Sequence, residues 1–166
     1  MIIAVDEAAE AVDGWRERTC TAKPSAVIPP HLTLLFPFVP AADIDERVIT
    51  SLAEATAGTR RFTFHLRRTD RFPTTLYLVP EPGEPFIRLT RSIMRHFPAY
   101  QPYDGAFGVS VPHLTVAEGS DAVMDRAQLD VTSHLPISSV AQEALLLKEV
   151  EPNREWRIRL RLPFSA

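Results

Sequence analysis

At 166 residues, 45% of them hydrophobic, the chain can bury a full core and reads as one domain over residues 1–166. Its formal net charge of −3, from 18 basic and 21 acidic side chains, excludes the broad phosphate-tracking affinity for long nucleic acids that many cationic contacts provide. Cys20 is the sole cysteine, which excludes an intrachain disulfide and a cysteine-based metal cluster.

In chain order, Ile2 to Val5 predicts a strand and Glu7 to Arg18 a helix, with Ala8, Ala11, Val12 and Trp15 on one face. His31 to Phe38 predicts a strand. Asp43 to Ala57 predicts a helix through Ile44, Val48, Leu52 and Ala55, stopped at Gly58. Arg61 to Thr69 alternates, with Phe62, Phe64 and Leu66 on one side, and Phe72-Pro73-Thr74 turns it into Leu76 to Val79 as a hairpin. Pro85 to Phe97 predicts a helix on Phe86, Leu89, Ile93 and Phe97, and residues 98–110 a loop. Val109 to Ala117 predicts a strand, and Ser120-Asp121 starts a helix running towards His134. The end predicts one long hairpin: Ile137 to Val150, a turn over residues 151–154, then Trp156 to Leu162 with Trp156, Ile158, Leu160 and Leu162 alternating against Arg157, Arg159 and Arg161. Fifteen prolines, nearly double the usual ~5%, mostly mark the edges of these segments. Hairpins mixed with helices indicate an α+β fold with antiparallel sheets. Met1 to Glu7 has no basic, apolar leader pattern, and the apolar run Leu32 to Pro40 is too short and proline-broken to span a bilayer. The expectation is a cytoplasmic protein, a monomer with no membrane partner.

Pro-His-Leu-Thr occurs twice, at Pro30 to Thr33 and at Pro112 to Thr115, so the histidines stand 113 − 31 = 82 positions apart, almost half the chain. Such a repeat suggests two equivalent halves that supply one chemical pair each to a shared site. On a strand, residues i and i+2 share a face. His31 and Thr33 therefore project together, with Leu32 and Leu34 behind them, and His113 and Thr115 do the same in front of Leu114 and Val116. Phosphodiester cleavage requires one group to take a proton from the attacking oxygen and another to protonate the leaving oxygen. Imidazole serves either role near neutrality, and the threonine hydroxyls can bond the non-bridging phosphate oxygens. No second histidine sits at metal-ligand spacing from either one, so the pattern demands no metal and no cofactor.

His31-Leu32-Thr33-Leu34 and His113-Leu114-Thr115-Val116 resemble the H-x-[S/T]-hydrophobic signatures of the two-histidine (2H) phosphoesterase superfamily, in particular its bacterial 2′-5′ RNA ligase-like branch. The resemblance covers nearly the whole chain. It implies a bilobal fold, with two antiparallel β-sheets related by pseudo-two-fold symmetry around a central cleft and flanked by helices. It also implies metal-independent opening of 2′,3′-cyclic phosphates, or hydrolysis or ligation of 2′-5′ phosphodiesters, on nucleotide or RNA-end substrates. Carried onto this chain, His31 and His113 are the acid–base pair and Thr33 and Thr115 the phosphate binders. Phe36, Arg71 and Tyr77 are candidates for the substrate pocket, as groups near strand ends able to stack on a base or meet a phosphate.

Plainer readings stand beside these. A lone buried histidine is usually structural; it is the doubling that points to chemistry. His65 fits a surface strand face, and His96 and His134 fit helix ends where a cation suits the dipole. The Arg157, Arg159 and Arg161 stripe fits a solvated sheet edge; Arg67, Arg68 and Arg71 fit surface or cleft border equally, and Glu118 fits a turn. Two other functions remain open on the sequence: a non-catalytic nucleotide or RNA-end binder, and a metal-dependent hydrolase using both histidines and Glu118.

Overall fold

The computed structural model describes residues 1–21, 28–102, 111–150 and 155–166. The predicted turn over 151–154 and most of the predicted loop over 98–110 lie outside the described residues. In chain order the described elements are β1 (Ile2–Ala4), α1 (Ala9–Thr19), β2 (His31–Thr33), α2 (Glu46–Thr56), β3 (Phe62–Phe72), β4 (Thr75–Glu81), α3 (Glu84–His96), β5 (Leu114–Glu118), α4 (Asp121–Thr132), β6 (Ile137–Ala141), β7 (Glu143–Val150) and β8 (Glu155–Pro163). Short 3₁₀ turns at Asp6–Ala8 and Ala41–Asp43 precede α1 and α2.

Each helix forms for a local reason. α1 buries Ala11 and Val12, continuing the stripe begun by Ala8. The Asp45 carboxylate caps α2 by accepting the Val48 N–H at 2.9 Å, occupying one of the donors a helix start leaves unpaired. α3 carries Pro85 in its first turn, where no N–H is needed, and buries Phe86, Leu89 and Ile93 at helical spacing. Phe86 meets Phe62 and Phe64 of β3 edge-on, both at 5.0 Å, so α3 is anchored to the sheet by aromatic contacts. α2 packs on α3, while α1 and α4 pack on β5.

The resemblance implies two sheets; ladder hydrogen bonds instead join all eight strands into one curled antiparallel sheet in the order β6-β3-β4-β5-β2-β1-β7-β8. Four strands lie on each side of the β5–β2 contact, where Leu32 pairs with Leu114. Both leucines are fully buried, so the two motif strands adjoin because each needs the same core behind it.

Three strand boundaries differ from expectation. β2 stops at Thr33 instead of Phe38: the Leu34 N–H still bonds the Met1 carbonyl at 2.9 Å in register with β1, and Pro37 follows with no N–H to donate. β5 begins at Leu114, so His113 stands at its entrance; residues 109 and 110 lie outside the described residues. The run Ile137 to Val150 is two strands on different sides of the sheet, since β6 pairs with β3 while β7 pairs with β1 and β8. The crossing is at Gln142, whose carbonyl accepts the Phe164 N–H at 2.8 Å.

Strict alternation also fails at three β-bulges: Val116 is an extra residue in β5 against β4, and two others redirect side chains. In β3, Leu66 pairs with Pro80 but Arg68 with Val79, so Arg67 is an extra residue. Phe64 and Leu66 face the core, yet beyond the bulge Arg68, Asp70 and Phe72 face the opposite side. In β8, Leu160 pairs with Leu146 but Ile158 with Leu147, so Arg159 is the extra residue. Leu160 and Leu162 therefore join the core, whereas Ile158 and Trp156 face the other side with Leu147 and Glu149.

Candidate functional site

The Leu32–Leu114 pairing fixes the geometry of the doubled motif. In an antiparallel ladder, moving one residue on from Leu32 and one back from Leu114 sets Thr33 opposite His113; the reverse step sets His31 opposite Thr115. The four side chains thus occupy the corners of one patch, each histidine across from a threonine and the two imidazoles on a diagonal. Directly opposed Cβ atoms in such ladders lie ~4.5–5.5 Å apart and diagonal ones ~7–8 Å. That diagonal leaves room for a phosphoryl group between the imidazoles.

The imidazoles are held in the same way. His31 Nδ1 lies 2.8 Å from the Pro29 carbonyl and His113 Nδ1 lies 2.7 Å from the Val111 carbonyl. A carbonyl only accepts, so each Nδ1 carries the proton and the neutral ring presents the lone pair of Nε2. In both cases the acceptor is two residues upstream with a proline between, Pro30 or Pro112. A proline favours extended backbone in the residue before it and brings no competing N–H. The proline of the repeat thus has a physical role in setting the tautomer.

Burial is the main influence on both rings and disfavours their charged forms. It lowers His31 to about 4; the Pro29 bond opposes that shift, and the charges of Arg16, the terminal amine and His113 add to it. His113 is also lowered by burial, against the Val111 bond. Arg16 is itself buried, paired with Asp13 at 2.8 Å, and donates to the Ile28 carbonyl at 3.4 Å, next to the segment that holds His31.

The walls beside the two histidines differ. Phe72 stands edge-on to His113 at 5.1 Å between ring centres, and Tyr77, opposite Thr115 in β4, lies 5.4 Å from it. Phe72 and Tyr77 are themselves 4.4 Å apart. Burial, and after it the Asp70 carboxylate that bonds the Tyr77 hydroxyl, push that phenol upward. Beside His31 and Thr33, by contrast, a cavity of about 560 Å³ opens, with Phe36 and Trp156 among its lining side chains.

Of the pocket candidates, Phe36 therefore lies in the His31 cavity and Tyr77 beside His113. Arg71 lies apart from both. Beyond the β3 bulge it is opposite Leu76 on the helix-covered side, where it pairs with Asp125 of α4 at 2.7 Å and bonds Gln128. Phe72 and Trp156 carry no sequence signal for the site, because the bulges at Arg67 and Arg159 that turn them towards it leave no trace in the spacing. Glu118 holds the end of α1: its carboxylate accepts the Thr21 N–H at 3.1 Å, and its own N–H bonds the Thr19 hydroxyl at 3.1 Å. Among the described residues no group of three or more His, Cys, Asp or Glu side chains is placed to hold a metal ion.

A family model described as the 2′-5′ RNA ligase superfamily matches residues 4–152. No curated protein matches the chain.

Proposed function

Since the chain belongs to the 2′-5′ RNA ligase superfamily, that of the two-histidine phosphoesterases, we propose that it opens 2′,3′-cyclic phosphates or hydrolyses, and in reverse joins, 2′-5′ phosphodiesters of nucleotides or RNA ends. The observation that carries this reading is the four-cornered patch: two imidazoles with Nδ1 satisfied and Nε2 directed away from the backbone, each across the ladder from a threonine.

The chemistry follows from that patch. One imidazole, neutral, takes a proton from water as its oxygen attacks phosphorus. The other, protonated, gives its proton to the ribose oxygen as the P–O bond breaks. One proton is taken and one given, so the pair ends with the protons exchanged and the product retains the phosphate. Which ring acts as base depends on where the leaving oxygen lies, and the roles reverse for ligation. Thr33 and Thr115 donate to the non-bridging oxygens, where negative charge grows in the transition state. No step calls for a metal.

The test is turnover of a nucleoside 2′,3′-cyclic phosphate, a 2′-5′-linked dinucleotide and an ADP-ribose cyclic phosphate, with products identified and with a chelator present throughout. We expect cleavage of at least one substrate, unaffected by the chelator. His31→Ala and His113→Ala should each lower the rate ~10²–10⁴-fold, and the double variant by less than the product, because the two groups act as a unit. Folded single variants with full activity would falsify the mechanism. A rate lost to chelator and restored by divalent ion would replace it with a metal-dependent one.

A further inference from the structure

The two sides of the four-cornered patch are unequal. On the His113 side, the rings of Phe72 and Tyr77 stand within 5.1 and 5.4 Å of the imidazole. On the His31 side, the surface drops into the cavity of about 560 Å³. Its walls beyond the motif are mostly apolar, with Ile2, Ile44, Leu147 and Trp156 inside and the half-exposed Phe36 at the motif end. Among its described lining residues, Lys148 and Glu149 carry the charged side chains other than His31.

Because His31 and Thr33 themselves line this cavity, whatever fills it adjoins a phosphate held on the patch and is part of the same molecule. The chemistry of the walls selects which part. A second phosphate or a bare sugar would surrender its hydration there to apolar surface, at a cost no matching set of polar groups repays. A flat, weakly hydrated aromatic ring loses little and gains stacking contact. Trp156 reaches the cavity only because Arg159 is an extra residue in β8; with unbroken alternation Trp156 would share the core side with Leu160 and Leu162.

We propose that this cavity is the base subsite for the terminal nucleoside of the substrate, with Trp156 as its aromatic wall, so that recognition rests on one base beside the reacting phosphate and not on a run of backbone phosphates. The inference builds on the phosphoesterase reading above and narrows its substrate class.

The experiment compares adenosine 2′,3′-cyclic phosphate with glycerol 1,2-cyclic phosphate, which has the same five-membered ring and no base. The wild-type protein should favour the nucleotide in kcat/KM. Trp156→Ala should raise KM for the nucleotide about 5–150-fold, the range of a lost base–aromatic stack, and leave the glycerol compound within twofold. Trp156→Phe should restore most of the difference. An equal loss on both compounds, or no loss on either, overturns the subsite.

A binding measurement keeps this separate from the catalytic reading. Adenosine 2′-monophosphate should quench the fluorescence of wild-type protein and of Trp15→Phe, but not of Trp156→Phe. Trp15 serves as the control because its indole bonds Asp130 at 2.7 Å on α4 and lies under Arg18. Quenching that depends on Trp156 without turnover supports the subsite and rejects the reaction. Turnover of both compounds with quenching unchanged in Trp156→Phe rejects the subsite and keeps the reaction.

Discussion

Each imidazole of the patch combines a fixed tautomer with a weakened hold on its proton. Burial lowers both, His31 to about 4. The free protein needs one ring neutral and one protonated, and that population peaks between the two lowered values. We therefore expect kcat/KM for a cyclic phosphate to be greatest below pH 6.5, the ordinary histidine value, and to fall towards neutrality. The bound anionic phosphate favours the charged ring, so the optimum of kcat should lie at higher pH than that of kcat/KM. A kcat/KM optimum at or above pH 7 would contradict this ordering. At this scale the sequence was most legible for His31, Thr33, His113 and Thr115, because an i, i+2 spacing on a strand is a geometric statement in itself. It was silent on Phe72 and Trp156, whose directions depend on bulges set by partner strands. It misjudged Arg71, whose place is decided by Asp125 and Gln128, 54 and 57 positions away.

Among the elements, α3 and the first part of β3 read directly from periodicity, since each has one buried face along the segment read. β2 and the β6–β7 stretch did not. β2 ends where its pairing with β1 closes beyond Leu34, and β6 gives way to β7 where the chain takes a new ladder partner past Gln142; no local pattern records either. The dependence of the site on core packing gives a graded expectation. Leu114→Ala removes a fully buried side chain behind His113 and Thr115 and should cost about 2–5 kcal/mol. Asp45→Ala removes only the α2 cap, whose carboxylate bonds the Val48 N–H and neither motif, and should cost about 0.5–2 kcal/mol. Denaturant midpoints read both. Activity of the folded fraction should fall for Leu114→Ala and stay level for Asp45→Ala; the reverse order would detach the site from its core backing.

Over the whole molecule, mixed α+β character was legible and the single sheet was not, because the contact that unites its halves joins Leu32 to Leu114 across 82 positions. The buried histidine also has a consequence for the entire fold. His31 binds its proton with a value of about 4 when folded and near 6.5 when unfolded, so between those values the unfolded chain holds more protons. Stability should therefore decline as pH falls from about 6.5 to about 4, by up to about 3 kcal/mol from this group. Below about pH 4 the same group adds nothing further. His31→Gln should flatten that decline in chemical denaturation measured across the interval. An unchanged slope would assign the acid sensitivity to other groups.

The β2–β5 contact is a slim joint, a single paired rung as at β1–β7, between flanking ladders that run to several. α1, which follows β1 in one half, lies against β5 of the other and is latched to its end by Thr19 and Glu118. In mechanical terms the helix is a brace across a seam, and the two motif histidines sit on either side of that seam. The gap between the two histidines thus depends on how closely α1, which buries Ala11 and Val12, packs against β5. A bulkier side chain there would act as a shim, widening the jaws of the site without touching either histidine.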